Sequence, residues 1–135
     1  IFKRPLLATD WSGPSKRALE LLISLKGLIE KAFVCHTIGV KIAKSIDKTE
    51  LHRIEKESKE RLEKYCEQLK SAGISAEPHL GAGRTIMEII RISRDVNASM
   101  IIAGTTGKDR LHELFLGSVS HRIAGMSELP TLLVP

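Results

Sequence analysis

The sequence predicts an α/β fold: a five-stranded, parallel, doubly wound sheet with helices on both faces. Two observations predict it. Short apolar runs alternate with helical patterns in the order β-α-β-α-β-α-β-α-β, and each helical stretch is long enough for a crossover between parallel strands. The fourth run, Ser99–Ala103 (SMIIA), reads as a continuous apolar strand, as expected where both faces are covered. A chain of 135 residues has the size of one domain, here 1–135, with a core of its own.

Phe2–Thr9 (FKRPLLAT) reads as the first strand, ending at Asp10. Gly13-Pro14 opens a helix, since proline in a first turn gives up an N–H that has no helical partner. Ala18, Leu21, Leu22 and Leu25 keep helical spacing, and Gly27 ends the run. Ala32–Ile38 (AFVCHTI) is the second strand, and 39–47 a connector. The longest helix is expected over Lys48–Ala72, where Leu51, Ile54, Ser58, Leu62, Tyr65 and Leu69 form one stripe. Glu55–Lys59, Glu57–Arg61 and Glu60–Lys64 have the i,i+4 spacing of ion pairs on its solvated face. Gly73 stops it, and Ile74–Leu80 alternates as the third strand. Thr85 and Glu88 are spaced as a capping box for a helix running to about Val96, where Asn97 suits the left-handed position that ends helices. After Ser99–Ala103 come a glycine-bearing loop over Gly104–Gly117, a helix from Ser118 to about Met126, and a last strand Thr131–Val134 (TLLV).

Composition narrows the function. Lys and Arg number 21 against 16 Asp and Glu, and this surplus of +5 suits a polyphosphate as well as it suits nucleic acid. The five aromatic residues, Phe2, Trp11, Phe33, Tyr65 and Phe115, give few platforms for base stacking, which argues against nucleic-acid binding. No run approaches the roughly 20 apolar residues of a membrane span, and no basic-then-apolar leader opens the chain. The expectation is a cytoplasmic domain with no direct membrane contact. Cys35 falls in an apolar strand and Cys66 on a helix, and both read as reduced core residues. His36, His52, His79, His112 and His121 fall on different elements and have no metal-ligand spacing; His36 reads as a buried strand histidine.

Ligands of such sheets bind beyond the carboxyl ends of the strands, where the strand order reverses. The first and fourth strands end at Asp10 and Gly104. From Gly104 the loop reads GTTGKDRLHELFLGS, or Gly-x2-Gly-x9-Gly-Ser. Gly104 and Gly107 let backbone approach a ligand and permit positive φ. Gly117 and Ser118 stand at a helix start, whose free N–H groups favour an anion, and Ser118 adds a hydroxyl. The same residues also fit an ordinary βα loop with a serine cap, and Asp10 fits a helix cap. Lys108, Arg110, His121 and Arg122 read as solvated residues. The loop is no Walker A sequence, and Gly81-Ala82-Gly83 is no dinucleotide fingerprint, because Ile86 stands where a third glycine belongs.

Gly-x2-Gly-x9-Gly-Ser after the fourth strand resembles the signature of ATP-binding universal stress proteins. LLATDWS is similar to their strand-end Asp-x-Ser, VCHTI to their second strand with its histidine, GAGRTIMEII to their turn into the third helix, and PTLLVP to their final strand. The resemblance spans the whole chain; it departs at Gly81-Ala82-Gly83, where the family often has proline. It implies a Rossmann-like sheet of the adenine nucleotide alpha hydrolase type, with strand order 3-2-1-4-5. It further implies ATP bound by Ala8, Thr9, Asp10, Thr37, Ala103, Gly104, Gly107, Gly117, Ser118 and Val119. Asp10 would meet the ribose or a nucleotide-borne Mg2+ or Mn2+, and Thr37 would lie by the adenine. Gly104 and Gly107 would wrap ribose and phosphates, and Gly117, Ser118 and Val119 would offer N–H groups to the phosphate tail. The HxGH and SGGxDS patterns of nucleotide-processing relatives are missing, and no general base is placed by motif. The expectation is therefore a stress-response module with ATP as bound signal, no catalytic residue and at most weak ATPase activity, forming a homodimer through its last strand. The alternatives are a nucleotide-sensing domain of a larger protein, such as a membrane transporter, and a slow ATP hydrolase.

Overall fold

A computed structural model describes residues 1–104 and 128–135. Its elements are β1 (Pro5–Ala8), α1 (Gly13–Ser24), a 3-10 turn (Lys26–Leu28), β2 (Ala32–Gly39), α2 (Val40–Ser45), α3 (Lys48–Ser71), β3 (Ala76–Gly83), α4 (Thr85–Asp95), β4 (Met100–Gly104) and β5 (Thr131–Val134). The strands form one parallel sheet in the order β3-β2-β1-β4-β5, as the resemblance implies. The loop beyond Gly104 and the helix expected from Ser118 lie outside the described residues.

Neighbouring residues on the central strands point to opposite faces, and both faces are covered. Leu7, Val34 and Ile102 pack with Leu22 of α1 and with Leu62 and Leu69 of α3. Leu6, Phe33, Cys35 and Ile101 pack with Ile86, Ile89 and Ile90 of α4. Leu6, Leu7, Ile101 and Ile102 are fully buried. Burying each such side chain contributes about 1.5–3 kcal/mol, so the middle strands anchor the fold. Both cysteines are reduced and buried, as expected.

Helix ends follow local chemistry. Pro14 stands in the first turn of α1, but the cap is Ser12, whose hydroxyl accepts from Ser15 N–H, and Asp10 is not the cap. Gly73, at φ 90°, ends α3, with Ile74 N–H donating back to Leu69 C=O at 2.9 Å. Asn97 takes the left-handed position after α4 at φ 55°.

Three local expectations need correction. The segment read as a connector contains α2. The capping box at α4 does not form: Arg84 is the N-cap without a side-chain bond, and the Glu88 carboxylate reaches back to Ala82 N–H at 3.3 Å. On α3, Arg53 pairs with Glu50 and with Glu57, and the three expected i,i+4 pairs are not among its ion pairs. One arginine between two carboxylates draws both to itself. The α3 stripe is buried only from Ser58 onward.

Candidate functional site

The carboxyl ends of β2, β1 and β4 lie side by side. Ala8 is in register with Cys35 on one side and with Ala103 on the other. Ala8, Thr9, Asp10, Thr37, Ala103 and Gly104 therefore gather at one end of the sheet. Gly107, Gly117, Ser118 and Val119 lie outside the described residues.

The turn after β1 is built by side-chain hydrogen bonds. Trp11 N–H donates to Thr9 Oγ1 at 3.0 Å, the Thr9 hydroxyl donates to Ser15 Oγ at 2.9 Å, and the Ser15 hydroxyl donates to Ser12 C=O at 3.0 Å. Thr9, Ser12 and Ser15 are each at most 5% exposed, so this relay works away from water, where such chains reinforce one another. Ser12 N–H donates to Asp10 Oδ1 at 3.0 Å, which fixes the carboxylate as in an Asx turn. Asp10 Oδ2 is buried and has no partner among the described residues. A buried carboxylate oxygen is costly to leave unmatched, so its place at a strand end marks where a donor or a cation is wanted.

The β1–β2 ladder stops at the same place. Thr9 N–H donates to Cys35 C=O at 2.9 Å. The next rung would bring Thr37 N–H to Thr9 C=O, but that carbonyl accepts from the ring of His36 at 2.7 Å. A carbonyl only accepts, so His36 carries its proton on Nδ1. Alternate residues of a strand face the same neighbour, so the N–H and C=O of Thr37 face the space beyond the end of β1. They present a donor and an acceptor side by side. Among the described residues Thr37 Oγ1, on the α4 face, is likewise buried without a partner, and a Cβ on Gly81 would stand 3.3 Å from it and 3.2 Å from Glu88 Oε1.

His36 was expected to be a buried strand residue. It is half-buried, and its ring packs on Trp11 with centroids 4.6 Å apart. Trp11 also meets Tyr65 edge-on at 5.4 Å and lies under the Arg61 guanidinium at 5.5 Å. Trp11 itself is left-handed, at φ 68°. That conformation costs a non-glycine residue on the order of 1–3 kcal/mol. Two aromatic contacts at about 0.5–1.5 kcal/mol each, with a cation–π contact of about 0.5–1 kcal/mol, offset it. Trp11 and Ser15 went unread in the sequence. Serines three apart are a cap signal that could have found Ser12 and Ser15; nothing local singles out Trp11.

Gly104 does not take the positive φ that a glycine permits. A Cβ there would stand 2.7 Å from Pro14 Cβ, so the missing side chain lets β4 meet the first turn of α1. Among the described residues no three His, Cys, Asp or Glu side chains are grouped to hold a metal. A groove of about 440 Å³ between β3 and α4 lies at the opposite, amino end of the sheet. Its Lys31 and His79 both bond Glu77 and its Arg91 bonds Asp95, so it offers less unmet chemistry than the Asp10 end.

The model of the universal stress protein family matches residues 2–135. The universal stress protein MJ0577 of Methanocaldococcus jannaschii is 26% identical, over 99% of this chain and 95% of its own. Its solved structure superposes with a TM-score of 0.86 at 30% identity, covering 98% of this chain and 95% of that one. A universal stress protein from Archaeoglobus fulgidus, solved in complex with dAMP, matches with a TM-score of 0.69 at 20% identity, covering 100% and 99%. Another, solved in complex with cAMP, gives a TM-score of 0.69 at 19% identity, covering 98% and 96%.

Proposed function

The chain belongs to the universal stress protein family, and from that premise we propose that it binds an adenine nucleotide, ATP first, at the carboxyl ends of β1, β2 and β4, as a nucleotide-responsive regulatory module. The observation that carries this reading is Asp10 Oδ2, buried and without a partner among the described residues, near the backbone N–H and C=O of Thr37 beyond the end of β1. A donor next to an acceptor matches adenine, whose N1 accepts and whose N6 amino group donates. A ribose hydroxyl, or a Mg2+ or Mn2+ ion carried by the phosphates, would complete Asp10. The phosphate tail would then run toward the loop that holds Gly107, Gly117, Ser118 and Val119. Relatives solved with dAMP and cAMP lend support to an adenylate ligand.

No motif in the sequence places a general base at the phosphate end, so we read the nucleotide as a signal. General-base help is worth roughly 10²–10⁴-fold, and its lack would keep turnover well below the order of 1 s⁻¹ of slow enzymes. Calorimetry with ATP, AMP and cAMP tests the binding. The expected result is measurable ATP affinity that falls about tenfold or more in Asp10→Ala, since a hydrogen bond to a charged group contributes roughly 1.5–3 kcal/mol. Equal affinity in the two proteins would remove Asp10 from the site, and no affinity in either would end the reading.

A further inference from the structure

We propose that Trp11 is a positioning residue of this site: its indole, held by His36, Tyr65 and Arg61, keeps the turn from Thr9 to Ser12 in the left-handed shape that leaves Asp10 Oδ2 unmatched among the described residues, as the acceptor for the ligand. The proposal rests on the nucleotide-binding reading above. Among the described residues two that are not glycine have positive φ, Trp11 and Asn97. Asn97 ends a helix and is a residue type that tolerates this conformation, whereas a bulky tryptophan is not. Strain of this kind persists where surrounding structure over-determines it, and such places cluster at ligand clamps.

Three side chains from two elements converge on the indole. His36 comes from β2, and Tyr65 and Arg61 come from α3. His36 acts at both ends of the turn, since the ring that packs on Trp11 also donates to Thr9 C=O at 2.7 Å. Trp11 N–H in turn bonds Thr9 Oγ1, which closes the turn on itself. Between these fixed points Asp10 has Oδ1 tied to Ser12 N–H and Oδ2 unmatched. A turn already held in this shape spares the ligand the cost of ordering it. Without the indole the same four residues could turn in several ways, and Asp10 could satisfy Oδ2 on water.

Trp11→Gly tests this, because glycine takes the same φ without strain while losing all three contacts. The expected protein melts within a few degrees of wild type. Its affinity for ATP and for AMP falls about tenfold, and its amide hydrogens at positions 11 and 12 exchange faster, as a loosened turn requires. Arg61→Met removes one contact from α3 without touching the turn, and it should weaken both nucleotides about threefold, with Arg61→Lys restoring most of the loss. Trp11→Gly binding within twofold of wild type would overturn the proposal. If Trp11→Gly does not fold, Arg61→Met decides, and unchanged affinity there overturns it as well. Wild-type protein that binds no adenine nucleotide in the same titration overturns the reading of the site and this proposal with it, a result distinct from equal binding by both proteins.

Discussion

A methyl group built on Gly104 would stand 2.7 Å from Pro14 Cβ and 3.1 Å from Ser15 N, closer than side chains pack. Neither neighbour can yield cheaply, because Pro14 is fixed in the first turn of α1 and Ser15 holds the Thr9 hydroxyl. Gly104→Ala should therefore push α1 away from β4 and cost about 1–3 kcal/mol. Urea unfolding should show a lower midpoint with an unchanged slope, and an unchanged midpoint would show that the contact relaxes freely. The cysteines make a second prediction on single groups. Burial, with the charge of Glu88 adding to it, pushes the Cys35 thiol up to about 12, and burial takes Cys66 to about 11. Neither thiolate is populated at pH 8, so a thiol-specific dye should label both only as fast as the protein unfolds. Rapid labelling of native protein would contradict the burial of both side chains.

Helix α4 begins without a side-chain cap, and Glu88 ties its first turn to the strand before it. The hydrogen bond from Arg91 holds the Glu88 carboxyl below its ordinary value against the opposing effect of burial, and the bond from Ala82 N–H adds a smaller lowering. A carboxyl lowered in the folded state contributes stability that is present above its unfolded value and is lost as pH falls through the folded one. Acid should thus loosen α4 below about pH 4.5, and Glu88→Gln should flatten that part of the stability curve while leaving the contributions of Glu50 and Glu77, which are also lowered. Identical acid profiles for the two proteins would remove Glu88 from this role. The elements legible in the sequence were those with many periodic positions, such as α3, or with continuous apolar runs, such as β4. The six residues of α2 carry too little period to be read, and the spacing of Thr85 and Glu88 gave the right anchor with the wrong target. At the site the same limit holds: Asp10 was readable as a strand end in this topology, and Thr37 came only from the family resemblance. The Thr9–His36 bond, between residues 27 apart in sequence, and the stack on Trp11 depend on register that no local pattern carries.

At the scale of the molecule the sheet has two edges, β3 and β5. Edge strands leave a row of N–H and C=O groups that can pair with another chain. β3 blunts its edge with Pro78 and carries Glu77 and His79 in the same strand. β5 has no charge within Thr131–Val134 and is half-buried along its length, with Leu132 and Val134 packed on the core that contains α1. Pro130 and Pro135 bound the strand, which restricts pairing to a short stretch and disfavours open-ended growth. Pairing of β5 with β5 of a second copy about a two-fold axis is the simplest closed arrangement, and we propose it as the assembly. It would join two sheets into one and carry the two Asp10 sites on one body. Light scattering should give twice the 14.9 kDa of one chain. Leu133→Lys places a charge in the pairing stretch while Leu132 and Val134 keep their packing, so it should shift the mass to that of one chain with circular dichroism and nucleotide affinity preserved. A wild-type monomer at high micromolar concentration would refute the dimer. A Leu133→Lys dimer of wild-type strength would move the interface away from β5.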